Sequence, residues 1–255
     1  MSFALKAHGI NAIPLDPRVP SDQVRQQSAE AAMSLISPVA LLSGDVNPRE
    51  FSVLPQEIAY FTLRRVTLSL TDVVTFYASR DRSDNGSCLD FAGMARLADL
   101  VKTENNDGGV SDGGTTNART KALSDLFDFL LANKQVVREY LRRLDRLGTE
   151  EEAPALDSDT RLIFRASCFV GMHADEPTED IVDAAYLLGK PCAVVPCCVF
   201  PSLFPNRTLR NGTKVVTYPQ FVEYLLQKYD GTLKIDYLPI EGRNRVVYLT
   251  RFDVI

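Results

Sequence analysis

Residues 160–200 read TRLIFRASCFVGMHADEPTEDIVDAAYLLGKPCAVVPCCVF, and this stretch decides the fold. Arg161–Met172 carries Leu162, Ile163, Phe164, Cys168, Phe169 and Val170, and predicts a strand run. Asp175-Glu176-Pro177-Thr178-Glu179 then puts acids and proline where a helix begins. Ile181, Val182, Ala185 and Leu188 supply a buried helical face, and Gly189 closes it. Pro191–Phe200 is a near-continuous apolar run, as expected of a strand covered on both faces. Strand, helix, strand over so short a span is a βαβ unit, which calls for parallel pairing.

The C-terminal side extends the pattern. Tyr218–Tyr229 predicts a helix, and Lys234–Ile240 and Arg245–Phe252 predict two strands. Only Glu241-Gly242-Arg243-Asn244 separates those strands, so they should pair antiparallel. On the N-terminal side Lys121–Leu147 reads as one amphipathic helix with Leu123, Leu126, Phe127, Leu130, Leu131, Val137, Leu141 and Leu144 on one stripe. Residues 104–116 are rich in Asn, Asp and Gly and predict a mobile loop. Ile58–Phe76 contains Thr62, Val66, Thr67, Val73 and Val74 and suggests one or two strands. Asp22–Ile36 has helical spacing, and Ile10–Leu15 reads as a strand ending at Asp16-Pro17-Arg18. The whole is an α/β chain with a mostly parallel sheet, helices on both faces and a C-terminal antiparallel hairpin.

Composition narrows the function classes. The 255 residues carry 28 basic and 33 acidic side chains, a net charge of −5. Residues 1–159 hold −6 of this and residues 160–255 hold +1, so no basic stripe favours tight nucleic-acid binding, and there is no DNA signal. A local RNA contact or a protein partner stays open. No apolar run approaches the roughly 20 residues that span a bilayer. Five cysteines, with Cys197 and Cys198 adjacent, predict a reducing intracellular compartment, the cytoplasm, rather than a disulfide framework.

In open α/β sheets ligands gather beyond the carboxyl ends of the strands. Three such ends are polar here: Asp16-Pro17-Arg18, Gly171-Met172-His173-Ala174-Asp175 and Pro196-Cys197-Cys198. Asp16 has the type and place to accept hydrogen bonds from ribose hydroxyls, or is a turn aspartate before proline. His173 suits a general base or the orientation of a hydroxyl, and Asp175 suits either its partner or the helix N-cap. On a strand, Cys197 and Cys198 would point to opposite faces, one to the core and one to the site. A zinc site from His173, Asp175 and the cysteines, or a cysteine nucleophile, follows the residue types but no CxxC spacing, so the reading is metal-free. Neither GxGxxG nor GxxxxGK[ST] occurs.

Together, Val170-Gly171-Met172-His173-Ala174-Asp175-Glu176-Pro177-Thr178 and Val195-Pro196-Cys197-Cys198 resemble a family of class I methyltransferase-like proteins. That family carries Gly-Met-His-Pro-Asp-x-x-Thr and Val-Pro-Cys-Cys segments. Gly242-Arg243-Asn244 and Asp16-Pro17-Arg18 also fit it, while Ala174 stands where the family has proline. A more distant resemblance runs to the eukaryotic tRNA acceptor-stem 2′-O-methyltransferases. The resemblance covers about 160–250 and is weak over about 40–120, which reads as an insertion within a single 1–255 domain. It implies a three-layer Rossmann-like sheet, S-adenosylmethionine as cofactor, and RNA or protein as substrate. It implies Asp16, Arg18, Gly171 and Met172 at the cofactor, and His173, Asp175, Cys197 and Cys198 near the acceptor. The family's first strand and Gly-rich loop lie upstream of Asp-Pro-Arg, so an N-terminally truncated form is expected. The rival expectation is a catalytically inactive methyltransferase-like module that binds a partner.

Overall fold

The computed structural model describes residues 62–81, 89–103, 113–146, 154 and 156–250. The strand and helix read over 10–36, and Asp16 and Arg18 with them, lie outside these residues. Among the described residues four helices come first: α1 (Leu63–Arg80), α2 (Phe91–Lys102), α3 (Gly113–Ala132) and α4 (Lys134–Arg146). A short α5 (Ser158–Arg165) leads into β1 (Phe169–Met172), α6 (Thr178–Leu188) and β2 (Cys192–Val195). Then follow α7 (Tyr218–Gln227), a 3-10 turn (Lys228–Gly231), β3 (Lys234–Tyr237) and β4 (Arg245–Leu249).

The four strands form one mixed sheet in the order β1-β2-β4-β3. The βαβ unit pairs as expected: β1 runs parallel to β2, with Phe169 opposite Cys192 and Met172 opposite Val195. The final hairpin is antiparallel, with Tyr237 opposite Arg245. β4 also pairs antiparallel with β2. Parallel pairing among the described residues is therefore confined to β1–β2, and the expectation of a mostly parallel sheet is corrected to a mixed one.

Four assignments also differ from the sequence reading. The strands expected within Ile58–Phe76 give way to α1. Its buried residues Val66, Leu70, Val73, Val74 and Tyr77 recur at helical spacing, and the Thr62 side chain caps it by accepting from the Arg65 N–H at 3.1 Å. Helical burial outweighs the local β preference of the threonines and valines. The front of the expected strand 161–172 is α5, because Asp157 caps it (Thr160 N–H to Oδ1, 3.0 Å) and turns Ile163 and Phe164 inward. The single helix 121–147 is two helices, interrupted at Asn133, whose carboxamide donates to the Phe129 carbonyl at 2.8 Å. Leu126, Leu130, Val137 and Leu141 of the expected stripe are buried in them. Residues 113–116 open α3 instead of belonging to a loop, and 104–112 lie outside the described residues.

Helix α6 is the centre of the packing. It lies against β1 and β2 and also against α1 and α4, so a helical layer is stacked over the helix-covered face of the sheet. Ile181, Val182, Ala184, Ala185, Leu187 and Leu188 are buried there, together with Phe169, Cys192, Val194, Val247 and Leu249. Gly171 belongs to the same face: a Cβ on it would meet Ile181 Cδ1 at 3.0 Å and Val194 Cγ1 at 3.1 Å. The alternate side chains of β1, Val170 and Met172, are 53% and 39% exposed.

The end of α6 requires its glycine. Gly189 has φ 69°, and Arg138 of α4 donates to the carbonyls of Leu187 at 3.3 Å and Tyr186 at 2.5 Å. A Cβ at 189 would stand 2.6 Å from Arg138 Nε. Gly189→Ala is expected to cost about 2 kcal/mol, from left-handed strain and loosened Arg138 bonds. Urea unfolding monitored by circular dichroism measures this; an unchanged midpoint would contradict the packing of α4 on α6.

Candidate functional site at the carboxyl ends of β1 and β2

Parallel strands end side by side, so the segments after Met172 and Val195 are brought together by pairing alone. The ladder runs one step past β1: the His173 N–H donates to the Val195 carbonyl at 3.1 Å. The chain then bends sharply through two non-glycine residues in the left-handed region, His173 at φ 50° and Asp175 at φ 54°. Side chains occupy that region at a cost of about 1–3 kcal/mol each, and such residues concentrate where structure serves a site. Phe200, in the segment after β2, is a third, at φ 49°. The N-cap position of α6 falls at Pro177, not at Asp175.

The Asp175 carboxylate instead turns toward the second strand. Its Oδ1 accepts from the Cys197 thiol at 2.8 Å. Cys197 is buried, Cys198 is half-buried, and His173 and Asp175 are exposed. The expectation that the two cysteines face opposite ways does not hold. Pro196 follows the last residue of β2, so the alternation of a strand no longer applies to 197 and 198. Ligand atoms of Asp175, Cys197 and Cys198 all lie within 4.8 Å of one another. Burial pushes the Cys197 thiol up to about 12, and its hydrogen bond to Asp175 adds to this. Cys197 is thus a thiol at neutral pH, which is the wrong state for a nucleophile.

Of the other residues expected here, Met172 presents its side chain at the end of β1. Gly171 serves close packing on the covered face. Tyr218 and the hairpin arginines border the same end of the sheet, since Arg245 begins β4 opposite the end of β2. The Arg243 and Arg245 guanidinium carbons lie 5.1 and 5.7 Å from the Tyr218 ring centroid.

A buried charge network fixes the segment that follows Cys198, and sequence reasoning missed it. Arg207 lies between Phe204 and Phe221, 3.7 and 4.5 Å from their ring centroids. It donates to Glu179 Oε2 at 2.6 Å and to the Val199 carbonyl at 3.0 Å. Glu179 Oε1 accepts from Tyr224 Oη and from Lys228 Nζ, both at 2.5 Å. Lys228 also donates to Asp183 Oδ2 at 3.0 Å, and Tyr229 Oη donates to Asp183 Oδ1 at 2.6 Å. Burial works against ionised Glu179, but Lys228 and Arg207 outweigh it and hold its carboxyl below the usual range. Burial raises Asp183, and raises Asp180 to about 6 with help from the Asp183 charge. The available signal was Asp183 itself, a carboxylate set among Ile181, Val182, Ala184 and Ala185, since a charge in an apolar helical face needs a buried partner.

Fold and site together define an α/β protein with a polar, sulfur-bearing cluster where two parallel strands end. No family model, no curated protein and no solved structure matches the chain. No helix among the described residues is long and apolar enough to cross a membrane.

Proposed function

We propose that this chain is an S-adenosylmethionine-dependent methyltransferase with a Rossmann-like sheet, acting on a hydroxyl or amine of an RNA or protein substrate. The observation that carries the reading is that the segment bearing His173 and Asp175 and the segment bearing Cys197 and Cys198 come side by side at the carboxyl ends of β1 and β2, where Asp175, Cys197 and Cys198 cluster. Those are the residues the Gly-Met-His and Val-Pro-Cys-Cys resemblance assigns to the acceptor side. The antiparallel hairpin that ends the sheet supports the same reading.

The described residues fit such a cofactor in part. Met172 offers exposed apolar surface beside His173. Gly171 would act through the shape of β1, because its own approach is filled by Ile181 and Val194. When bound, S-adenosylmethionine supplies an electrophilic methyl group. His173, exposed at a strained turn, receives the proton that an acceptor hydroxyl must lose. The Cys197 thiol bond to Asp175 and the His173 N–H bond to Val195 hold the backbone of the turn that carries His173, and alignment of this kind contributes to an in-line transfer.

Titration calorimetry of S-adenosylmethionine into the full chain tests this. The expected result is one site per chain, weakened by Met172→Asp. Absence of binding would overturn the enzyme reading and leave a catalytically inactive module that binds a partner.

A further inference from the structure

We infer that Asp175, Cys197 and Cys198 form a three-ligand site for a soft divalent metal ion such as zinc, with the fourth position open to solvent. This goes beyond the methyl-transfer reading and does not depend on it. Two thiols and one carboxylate offer atoms that all lie within 4.8 Å of one another. With zinc–sulfur bonds near 2.3 Å and zinc–oxygen bonds near 2.0–2.2 Å, a tetrahedral ion needs ligand separations of roughly 3.5–3.8 Å. The Asp175 Oδ1 to Cys197 Sγ distance of 2.8 Å has to open by about an ångström, since a thiol proton now sits where the ion would.

Other features match a metal centre. Thiolate pairs select zinc-like ions over magnesium or calcium. The cluster is closed on the core side by buried Cys197, Pro196 and Val195, and open at exposed Asp175 and half-buried Cys198, which gives an entry path. Three protein ligands with one open position is the arrangement of reactive rather than purely structural zinc. On binding, the ion enters, both thiols lose protons to the buffer, and two thiolates and one carboxylate surround a divalent cation, which leaves the site with one net negative charge.

The test uses the full chain, freed of metal by chelator, with zinc or cobalt(II) chloride alone. The expected result is one ion per chain and a sulfur-to-cobalt charge-transfer band. Cys198→Ser should weaken binding by more than roughly tenfold, and Asp175→Asn by about tenfold. Cys168→Ser, whose sulfur lies outside the cluster, should bind like the parent. In the parent protein, zinc should also protect the half-buried Cys198 from alkylation, read by mass spectrometry, so the proposal does not rest on variants that must fold. Cobalt bound without the sulfur band, binding unchanged in Cys198→Ser, or Cys198 alkylated at full rate in saturating zinc would each overturn it. S-adenosylmethionine is absent from every arm, so failure here is distinct from failure of the methyltransferase reading.

Discussion

Lys228→Met is expected to destabilise the protein by about 3–5 kcal/mol, the usual cost of leaving buried charge without its partner. Lys228 is the ammonium shared by Glu179 and Asp183, at 2.5 and 2.8 Å. Burial alone would lower its pKa, but those two carboxylates reverse the direction and hold it charged. Methionine keeps the stem volume and removes the charge. Asp183 is 5% exposed, and Tyr229 Oη is the remaining donor that these bonds give it. Arg207 still answers Glu179 but reaches it through the other oxygen. The loss should shrink as pH falls, because protonation of Asp183 relieves the unpaired charge. Urea unfolding at pH 5 and pH 8 measures both effects. A loss below about 1 kcal/mol at pH 8 would class the network with surface ion pairs, which contribute that little.

Asp180→Asn should act in the opposite direction. Asp180 has a carboxyl raised from 3.8 to about 6, by burial first and by the Asp183 charge second. Below pH 3.8 the group is protonated in both folded and unfolded chains, so it costs nothing. Between there and about 6 the unfolded chain ionises first, and stability falls as pH rises. Above that range the full penalty, about 3 kcal/mol at most, is in place. Asparagine removes the ionisation and keeps an oxygen for the Leu63 N–H, which donates to Asp180 Oδ2 at 3.4 Å. The variant should be more stable than the parent by about 1–3 kcal/mol at pH 8 and equal to it near pH 3.5. Glu179 contributes with the other sign: its lowered pKa gives stability present above 4.5 and lost as pH falls below it, so above 4.5 the slope belongs to Asp180. Parallel curves for parent and variant from pH 4 to 8 would contradict the placement of Asp180.

The elements that were legible in the sequence share a property: local residues mark where they begin and end. Helix α6 was bounded by its acidic first turn and Gly189, and the terminal hairpin by its short connection. In α1 the cue misled, because Val66, Thr67, Val73 and Val74 favour strands locally while burial of Val66, Leu70, Val73 and Tyr77 follows a helix. In α5 the misleading run was Leu162-Ile163-Phe164, and the deciding residue was Asp157, four positions before Arg161, whose side chain caps. The strand order was not legible. That β4 enters between β2 and β3 depends on nonlocal pairing, to which no local pattern points.

The candidate site was legible in its residues and not in its geometry. His173, Asp175, Cys197 and Cys198 follow from reading the two strand ends of one βαβ unit. The thiol-to-carboxylate bond depends on where β2 stops, and Pro196 is the residue that stops it. Arg207 and Lys228 escaped because they come from a segment without periodicity and from a helix end. Their shared partner Glu179 on α6 looked like an ordinary first-turn acid.

The most direct test of the central claim uses a peculiarity of composition: the chain has only two histidines, His8 and His173. Proton NMR of their imidazole C2–H signals, assigned with His8→Gln, follows His173 alone. Addition of S-adenosylmethionine is predicted to shift the His173 signal saturably, with the same midpoint as calorimetry. A His173 signal unmoved by excess S-adenosylmethionine would contradict the placement of a methyltransferase site at the ends of β1 and β2.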